Sequence, residues 1–354
     1  MKIANMQIPF LNTIGLIITY KCQVACPHCI LNAGPHRTEE ISLLNSYNWI
    51  KQISGYRKGT VKMLSLTGGE PFYDLDRLEK ISAFAKKEGL LVSVVTNAFW
   101  ADTSENAEKI LQSLSSIDAI AISSDYYHQS SIPFSRVVNA IQAVKKENIP
   151  YYINVCTENA QDLHYKNLLE ELHKVAEKDY INSIITFPYG RAAEKSSSPK
   201  YKRSKTPPVS CCISSSGPVI FPDGKVIGCI GPLITLKSSH PLILGNLNDD
   251  PLNIILDNAE SNPILHALRI YGPQKLISMA NEAGLQDSLP ESYIEGSICS
   301  ACYSMMSNPT IVNYLSEIAK DPAFIRLISY ARLQYLGEMR MVEWYESLSG
   351  GTGN

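Results

Sequence analysis

The first half of the sequence predicts an α/β fold, a parallel sheet covered by helices. Three observations carry that reading. Short apolar runs recur through residues 14–187, as strands buried on both faces require. Segments with apolar residues at helical spacing separate them. Residue types able to do chemistry gather just past the C-terminal end of each run, where parallel α/β folds carry their sites.

Ile14, Leu16, Ile17 and Ile18 make residues 14–19 the first strand, and Ile41–Ile53 reads as the first helix. Val61–Leu66 is the second strand and ends in Thr67-Gly68-Gly69-Glu70-Pro71. Leu75–Lys87 is helical, with Gly89 as its stop. Leu90–Thr96, Ser104–Leu114 and Ile117–Ser123 read as strand, helix and strand, with Asp125-Tyr126-Tyr127-His128 following. Val137, Val138, Ile141 and Val144 share one face of a helix over Pro133–Lys146. Tyr151–Cys156, Leu163–Glu177 and Ile181–Phe187 complete the series as strand, helix and strand. At Glu194–Pro208 the composition turns to Ser, Lys and Pro, as in a solvated linker. Beyond it the alternation is lost. Val219–Phe221 and Lys225–Cys229 around Pro222-Asp223-Gly224 read as a β-hairpin. Asp321-Pro322 opens a closing helix over Ala323–Met341, with Phe324, Leu327, Ile328, Ala331 and Tyr335 on one face. Ser347–Asn354 reads as a disordered tail.

Composition excludes several function classes. A net charge of −2 leaves no electrostatic footprint for nucleic acid or an anionic membrane. No stretch reaches the ~18 apolar residues of a membrane span. Ile14–Ile18 is too short for the core of a signal peptide. The expected location is therefore the cytoplasm, where the nine cysteines point to metal rather than to disulfides.

The densest chemistry is Cys22, Cys26 and Cys29, spaced C-x3-C-x2-C on the loop after the first strand. Three thiolates there can hold three corners of an iron–sulfur cube and leave the fourth iron open. A structural zinc site is the alternative, but it would need a fourth ligand. His28 adjoins Cys29 and cannot readily turn to the same metal, and the next cysteine is Cys156. Gly68-Gly69 adds a turn that lets backbone approach a ligand closely.

Together the triplet and the Gly-Gly-Glu-Pro turn resemble the radical S-adenosylmethionine (radical SAM) superfamily, over roughly residues 14–191. The resemblance implies a partial (β/α)6 TIM-like barrel. It implies a 4Fe–4S cluster on Cys22, Cys26 and Cys29 whose open iron chelates S-adenosyl-L-methionine. Backbone at Gly68, Gly69 and Glu70 would meet the methionine amino group, and His28 would flank the adenine. Thr96, Asn97, Ser123, Asp125 and Arg191 stand where family members place polar groups for the ribose and carboxylate. Glu70 reads as structural more than catalytic. Asp125 and His128 would bind ribose, act as a base near the substrate, or only hydrogen-bond their loop.

Cys212, eleven residues, Gly224, four residues and Cys229 resemble the hairpin of SPASM and twitch domains. Cys299-x2-Cys302 resembles the pair that follows, and no cysteine comes after it. This implies a C-terminal twitch/SPASM-like β-hairpin plus helical module with one auxiliary 4Fe–4S cluster on Cys212, Cys229, Cys299 and Cys302. A zinc ribbon on the same four thiolates is the alternative. The expected organisation is a barrel at 1–193, a linker at 194–210, the auxiliary domain at 211–346 and a tail at 347–354. Cys156 reads as a small buried apolar residue. Cys211 could replace Cys212 as ligand, or be a free thiol that returns a hydrogen atom to a substrate radical.

The resemblance implies reductive cleavage of S-adenosylmethionine and hydrogen abstraction from a peptide or small-molecule substrate, with a flavodoxin- or ferredoxin-type reductant. Maturation of a peptide or other natural product, by cross-link, oxidation or epimerisation, is the first reading. A sugar or aminocyclitol dehydrogenase is the second. A non-catalytic iron–sulfur carrier or zinc scaffold is the reading from another class, and it leaves the turn at Gly68 without a purpose.

Overall fold

The structure is a computed structural model, and it describes residues 10–58, 60–194, 201–339 and 341. The chain forms two units. Among the described residues, the first holds those of 13–201 and 219–224, and the second those of 10–12, 202–218 and 225 onward. The tail expected at 347–354 lies outside the described residues. No helix among the described residues is long and apolar enough to cross a membrane.

The first unit alternates strand and helix: β1 (Thr13–Thr19), α1 (Leu43–Gly55), β2 (Met63–Gly68), α2 (Leu75–Lys87), β3 (Leu91–Thr96) and α3 (Ser104–Ser113). There follow β4 (Ala119–Ser123), α4 (Tyr126–Gln129), α5 (Phe134–Lys146), β5 (Tyr151–Thr157), α6 (Leu163–His173) and β6 (Ile181–Ile185). The six strands lie side by side in sequence order, each parallel to the next. Among the described residues no pairing joins β6 back to β1, so the sheet is an α/β sheet of six parallel strands without closure. Val219–Ile220 pairs in parallel with the free side of β1, Gly15 opposite Val219 and Leu16 opposite Ile220. The apolar runs are the core: Ile14, Leu16, Ile17, Leu64, Leu66, Val92, Val94, Ile120, Ile122, Ile153 and Val155 are fully buried. Each such side chain contributes about 1.5–3 kcal/mol on leaving water. Side-chain caps fix the helix starts: Ser42, Asp74, Thr103 and Asp162 accept the N–H of the residue three positions on.

Among the described residues, the second unit has six α-helices: α7 (Leu252–Ser261), α8 (Pro263–Tyr271), α9 (Pro273–Glu282), α10 (Ile298–Met306), α11 (Pro309–Ile318) and α12 (Pro322–Leu336). Four begin on proline, whose fixed φ suits the first helical position and whose missing N–H costs nothing there. The closing helix is shorter than the expected 323–341. Gly337 takes φ 61° and gives its N–H to the Leu333 carbonyl, a left-handed stop that ends the helix at Leu336. Helix α6 also ends early, at His173 rather than Glu177, where the Val175 and Ala176 N–H groups both turn to the Leu172 carbonyl. Inside the stretch read as linker, Arg203–Ser204 pairs antiparallel with Tyr293–Ile294. Lys225–Ile227, the second arm of the expected hairpin, pairs antiparallel with Ile243–Asn246.

A buried charge network ties this unit together. The Glu338 carboxylate accepts from Arg269 at 2.8 Å and from Arg332 at 2.6 Å. Arg332 also holds the Glu260 side chain and donates to the Glu260 carbonyl at 2.8 Å. Burial disfavours the Glu338 charge, but the two arginines outweigh it and keep its pKa below the ordinary carboxylate value. Replacing Arg332 by Ala leaves two buried carboxylates short of their cation. We expect a loss of about 3–5 kcal/mol in urea unfolding of the second unit, and a loss below about 1 kcal/mol would make the network surface-like.

Candidate active site

The ends of the parallel strands bring three groups together in the first unit. Beyond β1 the chain enters the cysteine loop, closed by Cys22 N–H to the Gly34 carbonyl and Gly34 N–H to the Tyr20 carbonyl. Cys22 and Cys26 are buried and Cys29 half-buried, in one apolar cluster with Val24, Leu31, Ala33, Phe99 and Ile132. Arg191, past the end of β6, straps the loop: its guanidinium donates to the Cys26 carbonyl at 2.7 Å and the Ala33 carbonyl at 2.6 Å. Its backbone N–H meets the Cys29 carbonyl at 3.1 Å. Gly190 has φ 64° and no room for a side chain, because a Cβ would lie 2.6 Å from Ile30 Cα. Burial pushes the Cys22 thiol up to about 12, and the charges of Glu70, Cys26 and Cys29 push the same way. Three thiolates in so dry a place repel one another, and a bound cationic cluster both relieves that repulsion and deprotonates them. The donor set fits an iron–sulfur cluster.

The glycine turn is fastened to the same loop. Gly69 N–H meets the Thr19 carbonyl at 2.7 Å, and Glu70 N–H meets the Lys21 carbonyl at 3.0 Å. A side chain on Gly68, at φ 143°, would overlap the Thr19 carbonyl oxygen, and one on Gly69 that of Lys21. With these N–H groups engaged, the turn has carbonyl oxygens to offer an amino group. The Glu70 side chain is wholly buried and accepts three hydrogen bonds, from Phe72 N–H at 3.1 Å, Thr96 O–H at 2.8 Å and Asn97 N–H at 2.8 Å. Thr96 further accepts from Trp100 Nε1 at 2.9 Å. Asn97 Oδ1 accepts from Gln23 Nε2 at 2.9 Å, and its Nδ2 lies 3.7 Å from Cys22 Sγ. Thr96 and Asn97 thus join the turn to the first cysteine.

The third group follows β4, whose last residue is Ser123. Asp125 is 1 % exposed and caps α4 through His128 N–H. Its Oδ1 lies 2.9 Å from His128 Nδ1, and its Oδ2 lies 3.5 Å from His28 Nε2. Burial opposes both charges of the Asp125–His128 pair, yet their attraction lowers the carboxyl pKa and raises that of the imidazole. His28 goes the other way. Burial first, then His128, brings it down to about 4 against the pull of Asp125, so it is a neutral imidazole at pH 7. Its ring packs on Tyr127, centroids 4.6 Å apart. Both rings line a cavity of about 590 Å³ at the ends of β4, β5 and β6, within the range of small-ligand sites. Cys156, Glu158, Thr186 and Tyr201 line it as well.

A model of the Radical SAM superfamily matches residues 16–177. Those residues carry a radical SAM domain. That domain covers most of β1, all of β2 to β5, the three cysteines and the glycine turn, and implies a 4Fe–4S cluster and S-adenosylmethionine. The chain is similar to YydG of Bacillus subtilis, whose name describes a peptide biosynthesis protein: 21 % identity over 312 residues, 85 % of this chain and 94 % of that protein. Solved structures similar to it include BtrN in complex with AdoMet and 2-DOIA, at TM-score 0.44 and 16 % identity, covering 75 % of this chain and 89 % of that one. Methylornithine synthase PylB gives TM-score 0.38 at 16 % identity, covering 51 % and 55 %. The hydrogenase maturase HydG gives TM-score 0.37 at 15 % identity, covering 96 % and 76 %.

Outside the radical SAM domain, the second unit gathers four thiols. Burial raises the Cys302 thiol, and so do the charges of Cys229, Cys212 and Cys299. Cys299 and Cys302 stand three residues apart on α10. Gly231 fits between two of the four: a Cβ there would lie 3.2 Å from Cys229 Sγ and 3.5 Å from Cys299 Sγ. The Gly231 N–H donates to Cys229 Sγ at 3.0 Å. Cys212 acts on Cys229 and Cys302, whereas Cys211 is exposed and acts on Cys212. Sequence reasoning passed over Tyr127, Glu158, Thr186 and Tyr201 as site residues and read Cys156 as packing. Their only signal is position, and all but Tyr201 lie at or just past the ends of β4, β5 and β6. Gly190 and Gln23 carry none.

Glu70 provides a pH test of the turn. Burial raises its carboxyl from 4.5 to about 7 despite three donors. The folded state therefore holds a proton that the unfolded state has released between those values. Stability from this group is complete below pH 4.5 and is lost as pH rises to about 7. In thermal melts of the cluster-free protein, Glu70→Gln should flatten that part of the Tm–pH curve, and an unchanged slope would assign it to another group.

Proposed function

We propose that this radical SAM enzyme matures a peptide, by oxidation, cross-linking or epimerisation at an unactivated C–H bond. The observation that carries this reading is the similarity to YydG, a peptide biosynthesis protein by name, along 85 % of this chain, beyond the radical SAM domain itself. With the cluster reduced, bound S-adenosylmethionine supplies a 5′-deoxyadenosyl radical able to take a hydrogen atom. The protein's own residues seat and guard that chemistry.

In this reading Cys22, Cys26 and Cys29 hold three irons and leave one open. The carbonyls of the Gly68–Glu70 turn receive the amino group, neutral His28 flanks the adenine, and Ser123 serves the ribose side. Thr96, Asn97 and Arg191 act from behind, since their hydrogen bonds go to Glu70, the Cys22 region and the loop carbonyls. Asp125 and His128 form the charged pair that orients His28. The apolar cluster around the thiols keeps water from the irons.

The second unit is proposed to hold an auxiliary 4Fe–4S cluster on Cys212, Cys229, Cys299 and Cys302, in a twitch/SPASM-like module. The mutual action of these thiols supports it. Exposed Cys211, left outside it, is free to return a hydrogen atom to a substrate radical. A flavodoxin- or ferredoxin-type donor in a reducing cytoplasm would supply electrons, in keeping with nine free thiols.

Anaerobically reconstituted protein should carry about eight irons per chain by the two-cluster count and form 5′-deoxyadenosine with dithionite. Iron without 5′-deoxyadenosine would sink the radical reading, and zinc in place of half the iron the auxiliary cube. Changing Cys22, Cys26 and Cys29 together to Ala should abolish cleavage and leave about four irons; cleavage that survived would locate the active cluster elsewhere. Cys211→Ala should keep its full iron, and iron loss would make Cys211 the ligand in place of Cys212. Peptides encoded beside the gene should raise 5′-deoxyadenosine output and lose hydrogen or gain solvent deuterium. Amino sugars doing so instead would overturn the peptide assignment.

A further inference from the structure

One half-buried thiol stands outside both cysteine sets. Cys156 lies near the C-terminal end of β5, one residue before its last, and lines the 590 Å³ cavity together with His28, Tyr127, Glu158, Thr186 and Tyr201. A packing residue would point into the core, where Ile153 and Val155 are fully buried, and Cys156 instead takes the other face of the strand. Its neighbour is Asp125, whose side chain is 1 % exposed and whose Oδ2 has no hydrogen-bond partner beyond the 3.5 Å approach to His28. The charge of Asp125 acts on the Cys156 thiol and helps to hold it protonated. Asp125 therefore bears on three groups: the imidazole beside the cysteine loop and His128 by contact, and the cavity thiol by its charge.

We propose that Cys156 is a hydrogen-atom donor that quenches a 5′-deoxyadenosyl radical when that radical meets no substrate. The assignment rests on the seat for S-adenosylmethionine proposed above. The chemistry balances simply. The S–H bond is weaker than the methyl C–H bond it makes, so the carbon radical takes the hydrogen atom and leaves a thiyl radical on Cys156. One electron from the low-potential reductant and one proton from solvent restore the thiol. Such a donor must be protonated at rest. Burial and the carboxylate beside it both hold the Cys156 thiol up, far from the thiolate form. It must also be sheltered from oxidants, and the strand end within the cavity wall does that. Tyr127, Thr186 and Tyr201 offer hydroxyls at the same wall, but these share hydrogen bonds, with Thr186 Oγ1 3.2 Å from the Tyr201 hydroxyl. The aliphatic O–H bond of Thr186 resists hydrogen-atom loss far more than a thiol does.

Two measurements test it. The reconstituted enzyme, equilibrated in D2O, is given S-adenosylmethionine and dithionite without any peptide. The 5′-deoxyadenosine formed should carry one deuterium at its methyl carbon, read per molecule of product by mass spectrometry. In Cys156→Ala, and in Cys156→Ser as a variant of closer shape, that label should be lost. No label in the wild type, or an undiminished label in both variants, overturns the proposal. No 5′-deoxyadenosine at all in the wild type overturns the radical reading instead. The second measurement needs no turnover. The infrared S–H stretch assigned to Cys156, from the difference between wild type and Cys156→Ala, should shift when S-adenosylmethionine is added without reductant. An absent or unmoved band removes the thiol from the site.

Discussion

The buried carboxylate of Glu70 is the point on which the site depends. It leaves water entirely and takes in exchange two backbone N–H groups and a hydroxyl. Those three donors belong to the glycine turn after β2 and to the end of β3. Through Asn97 the same connection reaches Gln23 and Cys22. An unpaired buried carboxylate is costly, so this one fixes the relative positions of two strand ends as long as it stays satisfied. The cysteine loop inherits that order from the turn on one side and from Arg191 on the other.

Charge is handled the same way throughout: it is buried only where something answers it. The Asp125–His128 pair sits behind a neutral His28, so one imidazole of two is charged and the other is free to lie against a ligand. In the second unit Arg269, Arg332, Glu260 and Glu338 answer one another. The thiols are the exception. Cys22 and Cys302 are held up by burial and by other thiols, with no cation of the protein beside them among the causes. That imbalance is what a cationic cluster corrects.

Much of this fold was legible in the residues. Continuous apolar runs cannot sit in water and are too short for buried helices, so the six parallel strands follow from pattern alone. Helix α2 spans Leu75–Lys87 as its pattern and the stop at Gly89 indicate. The less regular parts escaped for local reasons. Gly337 stops α12 by adopting a conformation that only the assembled chain rewards, and the strand at Arg203–Ser204 exists because Tyr293–Ile294, 89 residues on, is there to pair with it. Pairing partners so distant leave no trace in local composition.

The sequence by itself determined the α/β class, the thiol triplet, the glycine turn beside it and the second group of cysteines. Each of these is a matter of spacing along one short segment, and spacing survives without a structure. Only the tertiary structure decided what Glu70, Arg191, Asp125 and Cys156 touch. Glu70 and Arg191 bind backbone on strands or loops far away in sequence, and Cys156 faces a cavity rather than the core because of the pleat of β5 and the neighbours of its outer face. Such roles are set by which strand ends the sheet brings together, and no motif records them.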